Sequence, residues 1–271
     1  MSNLQLRLIT AFVLAVVTLI ITYVGGAVFA AYSCILSGLV VYEWISLTQA
    51  RQTRLSIIIC WLFFILVSCL LIYDQNVNVI FITILLGVFV LTLIAGKNAG
   101  WCAGGFLYSV LPAVALSLLR GDEPVGFGAI VFLYAVVWGT DIAAYFNGRA
   151  LGGPKLAPTF SPNKTWSGAI GGAAAAVAGG CFIAYFVFDT QPGNIYIPLL
   201  ALILSIVSQF GDIGESWVKR HFSAKDSSNI LPGHGGIMDR VDGLIVASVV
   251  LYIIGAFFSN ADIPSTLFNL L

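Results

Sequence analysis

Apolar runs of roughly 18 residues or more follow one another almost from end to end of the chain, separated by short polar breaks. Each run of that length reads as a helix long enough to cross a bilayer. A membrane β-barrel would show short segments of alternating polarity instead, and none is seen. The pattern predicts nine spans, at about 9–25, 27–47, 56–73, 77–95, 101–119, 126–147, 166–188, 196–211 and 243–258. The expected fold is an all-α polytopic integral membrane protein, with eight to ten spans as the acceptable range. Residues 1–125 form an N-terminal helical region. Residues 126–271 form a C-terminal region that carries two long polar loops, 148–165 and 212–242.

Composition agrees with this pattern. Of 271 residues, 59% are hydrophobic and 9% charged, where a soluble domain carries about 25% charged residues. The net charge of zero says nothing about partners, but its distribution does. With nine spans, Arg7, Arg51, Arg54, Lys97, Arg149, Lys155, Lys164, Lys219, Arg220, Lys225 and Arg240 all fall on one side, and Arg120 alone falls on the other. Lys/Arg excess marks the cytoplasmic face, so the N-terminus and both long loops are expected in the cytoplasm. The start of the chain reads as a first span rather than a cleaved signal peptide. The five cysteines lie in apolar stretches with no CxxC pair and read as buried thiols.

Chemistry is expected in the polar loops and in the charges that intrude on the spans. Asp141 lies near the cytoplasmic end of the sixth span, with Tyr145 and Arg149 at i+4 and i+8 on the same helix face. In SPNKTWSG, Ser161-Pro162 favours a turn, and Thr165 is placed to cap the seventh helix. Lys164 beside the amides of that helix's first turn would attract a phosphate, or equally an anionic headgroup. Gly168, Gly172, Ala176 and Gly180 form a small-residue stripe suited to close helix packing. Ser205, Ser208, Asp212, Glu215 and Lys219 would line one face of the eighth helix if that helix continues past the membrane edge.

The densest polar segment is SWVKRHFSAKDSSNILPGHGGIMDRVDG, 216–243. Lys219, Arg220 and Lys225 supply cations. Gly233, Gly235 and Gly236 let backbone approach a ligand or take positive φ. Asp239 and Asp242 stand at i and i+3, on one face of a helix if the ninth begins there. Paired carboxylates beside cations and a glycine turn suit Mg²⁺ held with nucleotide phosphates. Hard oxygen donors argue against zinc.

This segment resembles the signature of the phosphatidate cytidylyltransferase (CDP-diacylglycerol synthase) family, S-x-x-K-R-x4-K-D-x4-[LI]-P-G-H-G-G-[LIM]-x-D-R-[VIL]-D. Ser216, Lys219, Arg220, Lys225, Asp226, Leu231 to Gly236, Asp239, Arg240 and Asp242 match it without a gap. Asp141 with Tyr145 and Gly148, KLAP at 155–158 and SPNKTW at 161–166 also look like the family. Ser167 departs from it, standing where many members carry Glu or Gln. The likeness is specific over about 135–245, and the first 130 residues share only their apolar spans.

The resemblance implies attack of phosphatidate on the α-phosphorus of CTP, giving CDP-diacylglycerol and pyrophosphate at the entry to phospholipid headgroup assembly. It implies Mg²⁺, with a second cation such as K⁺ left open, and a bacterial inner membrane with the site facing the cytoplasm. On that reading Asp212, Asp239 and Asp242 hold the metal. Lys219, Arg220, Lys225, Asp226, His234 and Arg240 carry the chemistry. Lys164, Ser161, Gly233, Gly235, Gly236 and Asp141 shape the nucleotide site. A homodimer is permitted by the small-residue stripes, and no nucleic-acid partner is expected. The rivals are a CTP-dependent enzyme acting on a polyprenol or an ether lipid, and a transporter using Asp141 and the polar eighth helix.

Overall fold

The computed structural model describes residues 3–191, 193–230 and 235–271. Among these, nine α-helices occupy the predicted places: α1 (Asn3–Val24), α2 (Gly26–Leu47), α3 (Arg54–Ile72), α4 (Val77–Ala95), α5 (Ala99–Arg120), α6 (Pro124–Leu151), α7 (Trp166–Phe188), α8 (Tyr196–His221) and α9 (Met238–Phe258). Seven helical stretches are long and apolar enough to cross a membrane. One of them, Val77–Arg120, comprises α4 and α5, and a shorter apolar stretch, Phe12–Val24, lies within α1. The protein is an all-α polytopic membrane protein.

The chain divides into two compact units. The first contains Met1–Asp122 and Asp226–Arg240; the second contains Glu123–Lys225 and Val241–Leu271.

In the first unit, α2, α3, α4 and α5 pack around Phe64, Ile80, Ile84, Leu91, Phe106 and Val110, all buried. The break between α1 and α2 is sharp because Gly25 and Gly26 take φ of 71° and 52°, values that favour glycine. A Cβ at Gly25 would also overlap the guanidinium of Arg120. That guanidinium donates to the carbonyls of Thr22 (2.5 Å) and Tyr23 (2.9 Å), satisfying orphan groups at the end of α1. The one cation predicted apart from the rest is thus a helix cap.

In the second unit, α6 and α7 run against each other along the predicted small-residue stripe. Gly168, Gly172, Ala176 and Gly180 are buried. A Cβ would come within 2.7 Å of the Ala144 carbonyl oxygen at Gly168, and within 2.8 Å of that of Thr140 at Gly172. The stripe is therefore used within the chain.

Residues 148–165 are more ordered than the expected loop. Helix α6 runs on to Leu151, and β1 (Lys155–Ala157) pairs antiparallel with β2 (Ser161–Thr165). Ser161-Pro162 does not make the expected turn but opens β2, and the turn falls at Pro158–Phe160. The pairs Lys155–Thr165 and Ala157–Ser161 enclose an irregularity in register, which accommodates a proline lacking a ladder donor.

Candidate active site

Helix α8 brings the site together in the second unit. It continues past its apolar part to His221, and Ser205, Ser208, Glu215 and Lys219 are all buried along one face, with Asp212 half-buried among them. Helix α9 begins at Met238, so Asp242 sits in its first turns. Close approach of α8 and α9 rests on two glycines. A Cβ at Gly211 would come within 2.8 Å of the carbonyl oxygen of Asp242, and one at Gly243 within 3.3 Å of that of Ser208. Each glycine adjoins a carboxylate of the site.

The outcome is a carboxylate cluster. Asp212, Glu215 and Asp242 each offer an oxygen, and these oxygens lie within 4.8 Å of one another. Asp141 on α6 is within electrostatic reach of Asp212 and Asp242. Two lysines offset the charge. Lys164, near the end of β2, forms an ion pair with Asp212, and Lys219 Nζ lies 2.9 Å from Glu215 Oε2. Lys164 is held by the helix start it precedes, where Thr165 Oγ1 accepts from the Gly168 amide at 3.1 Å, the predicted N-cap. Ser167, the departure from the family pattern, donates to the Gly152 carbonyl and so ties the end of α6 to the start of α7.

The donor set fits a hard divalent cation. Three carboxylates supply the hard oxygen donors that Mg²⁺ takes, the ion usually being held through a few carboxylates plus phosphate and water.

The remaining candidates are placed as follows. Arg220 and Lys225 are exposed at and beyond the end of α8, and the Arg220 guanidinium donates to the Ala224 carbonyl at 2.9 Å. On β2, Ser161 is half-buried. The Arg149 guanidinium donates to the Tyr145 hydroxyl at 3.0 Å, as their spacing suggested. Gly233 and His234 lie outside the described residues.

In the first unit, Asp239 closes a loop. Its Oδ2 accepts from the amides of Ser227 and Gly236 and from the Ser227 hydroxyl, each at 2.9 Å. Gly235 takes φ of 80°. Asp226 and Arg240, at the ends of this segment, are exposed. The group of three carboxylates therefore contains Glu215, and the Asp239 oxygen that meets this loop is engaged by backbone and hydroxyl donors.

Sequence reasoning gave no role at the site to two acids. Glu215 was visible on the polar stripe, three residues after Asp212, but was not assigned a ligand role. Glu43 is the lone acid of the second span. The reasoning that flagged Asp141 as costly in an apolar helix applies to it equally.

Comparison with known proteins gives the class. A model of the cytidylyltransferase family matches residues 5–258, and the chain belongs to that family. A protein of Brucella suis biovar 1 (strain 1330) named phosphatidate cytidylyltransferase is 56% identical over 269 residues, covering 99% of each chain. One of the same name from Bacillus subtilis (strain 168) is 30% identical, over 96% of this chain and 100% of its own length. Another, from Pseudomonas aeruginosa, is 38% identical over 164 residues, 58% of this chain.

Proposed function

We propose that the chain is a phosphatidate cytidylyltransferase, which forms CDP-diacylglycerol and pyrophosphate from CTP and phosphatidate. The observation that carries this reading is the cluster of Asp212, Glu215 and Asp242, with Lys164 and Lys219 as its counter-ions; Lys164, Lys219 and Asp242 lie in the segments that resemble the family's signature. Relatives across the whole length of the chain bear the name of this activity.

The nucleophile is an oxygen of the phosphatidate phosphate, already an anion, so no strong general base is required. It forms a bond to the α-phosphorus of CTP as the bond to the bridging oxygen breaks, and pyrophosphate leaves with that electron pair. The obstacle is the meeting of anions. Asp212, Glu215 and Asp242 would hold Mg²⁺, which when bound offsets charge on the triphosphate and the leaving pyrophosphate. Lys164 and Lys219 are placed by their carboxylate partners to present ammonium groups to phosphate oxygens, and Arg220 and Lys225 add exposed cations. Fixed positive groups aimed at developing charge are worth several kcal/mol where water is excluded. Asp141 helps keep Lys164 in place. The segment 226–240, which carries the second half of the signature, serves as the nucleotide loop. The site faces the cytoplasm, the side favoured by the Lys/Arg distribution and the one where CTP is found.

The test is a turnover assay on the purified protein in detergent with labelled CTP, Mg²⁺ and phosphatidate. Matched reactions contain polyprenol in place of phosphatidate, ATP in place of CTP, or no lipid. Labelled CDP-lipid and pyrophosphate formed only with CTP and phosphatidate is the expected result. Product with polyprenol alone would replace the acceptor. No product with any lipid, from folded protein, would remove the activity.

A further inference from the structure

Glu43 lies on α2, inside the first unit, and is fully buried. Its carboxylate meets four donors, all from the segment 226–240 of the same unit. The amides of Ile237 and Met238 donate to it at 2.8 and 2.6 Å. The hydroxyls of Ser227 and Ser228 donate at 3.1 and 2.5 Å. Met238 is the first residue of α9, so Glu43 satisfies amides at a helix start, where a negative group is favoured. The fit is tight, because a Cβ at Gly236 would overlap both the Ser227 hydroxyl and the Glu43 carboxylate.

Two carboxylates thus pin this loop at both of its ends. Asp239 gathers Ser227 and Gly236, and Glu43 gathers Ser227, Ser228, Ile237 and Met238. The Ser227 hydroxyl is common to both, its single proton shared between the two carboxylates. Asp239 travels with the loop and can close it, but cannot anchor it to anything else. Glu43 belongs to a helix distant in sequence and is the fixed point.

We infer that Glu43 is a positioning residue for catalysis, acting on the nucleotide loop by holding the residues at its two ends, Ser227 and Ser228 on one side and Ile237 and Met238 at the start of α9 on the other, in the arrangement that CTP binding requires. The inference rests on the reading of this segment as the nucleotide loop. A glutamine at position 43 keeps the shape of the side chain but replaces one acceptor oxygen with a donor, which would face a donor. The loop then loses anchors while every signature residue is intact.

The experiment uses the full-length protein in detergent. Glu43→Gln is expected to lower kcat/KM for CTP about 10- to 100-fold, the range typical of lost supporting contacts around a site. The loss falls mainly on the KM for CTP, with the KM for phosphatidate and the Mg²⁺ midpoint little changed. Hydrogen exchange at Gly236, Ile237 and Met238 should rise, and Glu43→Asp should recover part of the loss. Ser228→Ala removes a single donor, and a rise of a few-fold in the KM for CTP is expected; it remains informative if Glu43→Gln does not fold. Folded Glu43→Gln with unaltered CTP kinetics would overturn the inference, as would equal losses for both substrates with loop exchange unchanged. Photolabelling of the unaltered protein with an azido-CTP separates the two readings. Label absent from 226–240 removes the nucleotide-loop reading and the inference with it. Label present, with unaltered KM in Glu43→Gln, removes the inference alone.

Discussion

The ammonium of Lys164, on the short strand that leads into α7, is paired with the carboxylate of Asp212 on α8. A basic residue of one signature segment and an acid of the polar helix thereby meet at one point, and Lys219 repeats the arrangement with Glu215 at 2.9 Å. Each lysine has a carboxylate to leave and a phosphate to meet, so a cation entering the cluster and a nucleotide entering beside it should favour one another.

That relationship predicts the behaviour of Lys164→Ala. Removing a charge-assisted contact to phosphate is expected to raise the KM for CTP about 10-fold or more. It should also alter the Mg²⁺ midpoint, because Asp212 loses its competing cation. Lys164→Arg should keep part of the CTP affinity. Steady-state kinetics over a Mg²⁺ titration reads both effects, and an unchanged KM would take Lys164 out of the site.

The acids divide into two sets by partner. Asp212→Asn, Glu215→Gln and Asp242→Asn should each reduce turnover about 100-fold or more and move the Mg²⁺ midpoint upward, as expected when a ligand set is broken. Asp239→Asn should raise the KM for CTP while the Mg²⁺ midpoint stays in place, since its Oδ2 binds the Ser227 and Gly236 amides. A midpoint shift in Asp239→Asn equal to that of Asp242→Asn would return Asp239 to the metal set.

Much of this was legible in the sequence. The apolar runs located the nine α-helices of the described residues, since length and hydropathy suffice for a span. The stripe Gly168–Gly180 and the polar face Ser205–Lys219 follow helical periodicity, so their burial could be read from spacing. What spacing could not give was pairing at long range. Glu215 faces Lys219 along its own helix and also joins Asp242 from another helix, a choice of partner set by tertiary packing. Glu43 was hidden because its partners lie almost two hundred residues on. The strand at Ser161-Pro162 was missed because local turn preference was overridden by pairing with β1.

Gly211 and Gly243 carry no chemistry, yet activity should depend on them. Gly211→Val or Gly243→Val would press a side chain against the opposing backbone and part Asp212 from Asp242. Overpacking of this kind costs about 1–3 kcal/mol. Turnover is expected to fall well beyond what the shift in melting temperature explains, and Gly→Ala should be milder than Gly→Val at both positions.

Sidedness is tested by single cysteines in a background with the five native cysteines replaced. Lys155→Cys should react with a membrane-impermeant maleimide only in inverted vesicles, and Asn260→Cys only from the opposite side. The reverse pattern would invert the topology proposed from the Lys/Arg distribution.

The anchoring of the 226–240 loop by Glu43 also bears on how the protein is made. Glu43 and its partners are separated by 184 to 195 residues. At roughly 5–20 residues per second, the ribosome supplies those partners on the order of ten to forty seconds after Glu43 itself. Throughout that interval α2 carries an acid without its final donors. The nascent N-terminal helices therefore cannot reach their mature state before most of the chain has been synthesised. A chain halted ahead of residue 227 would leave the Glu43 carboxylate without the donors that meet it in the finished protein.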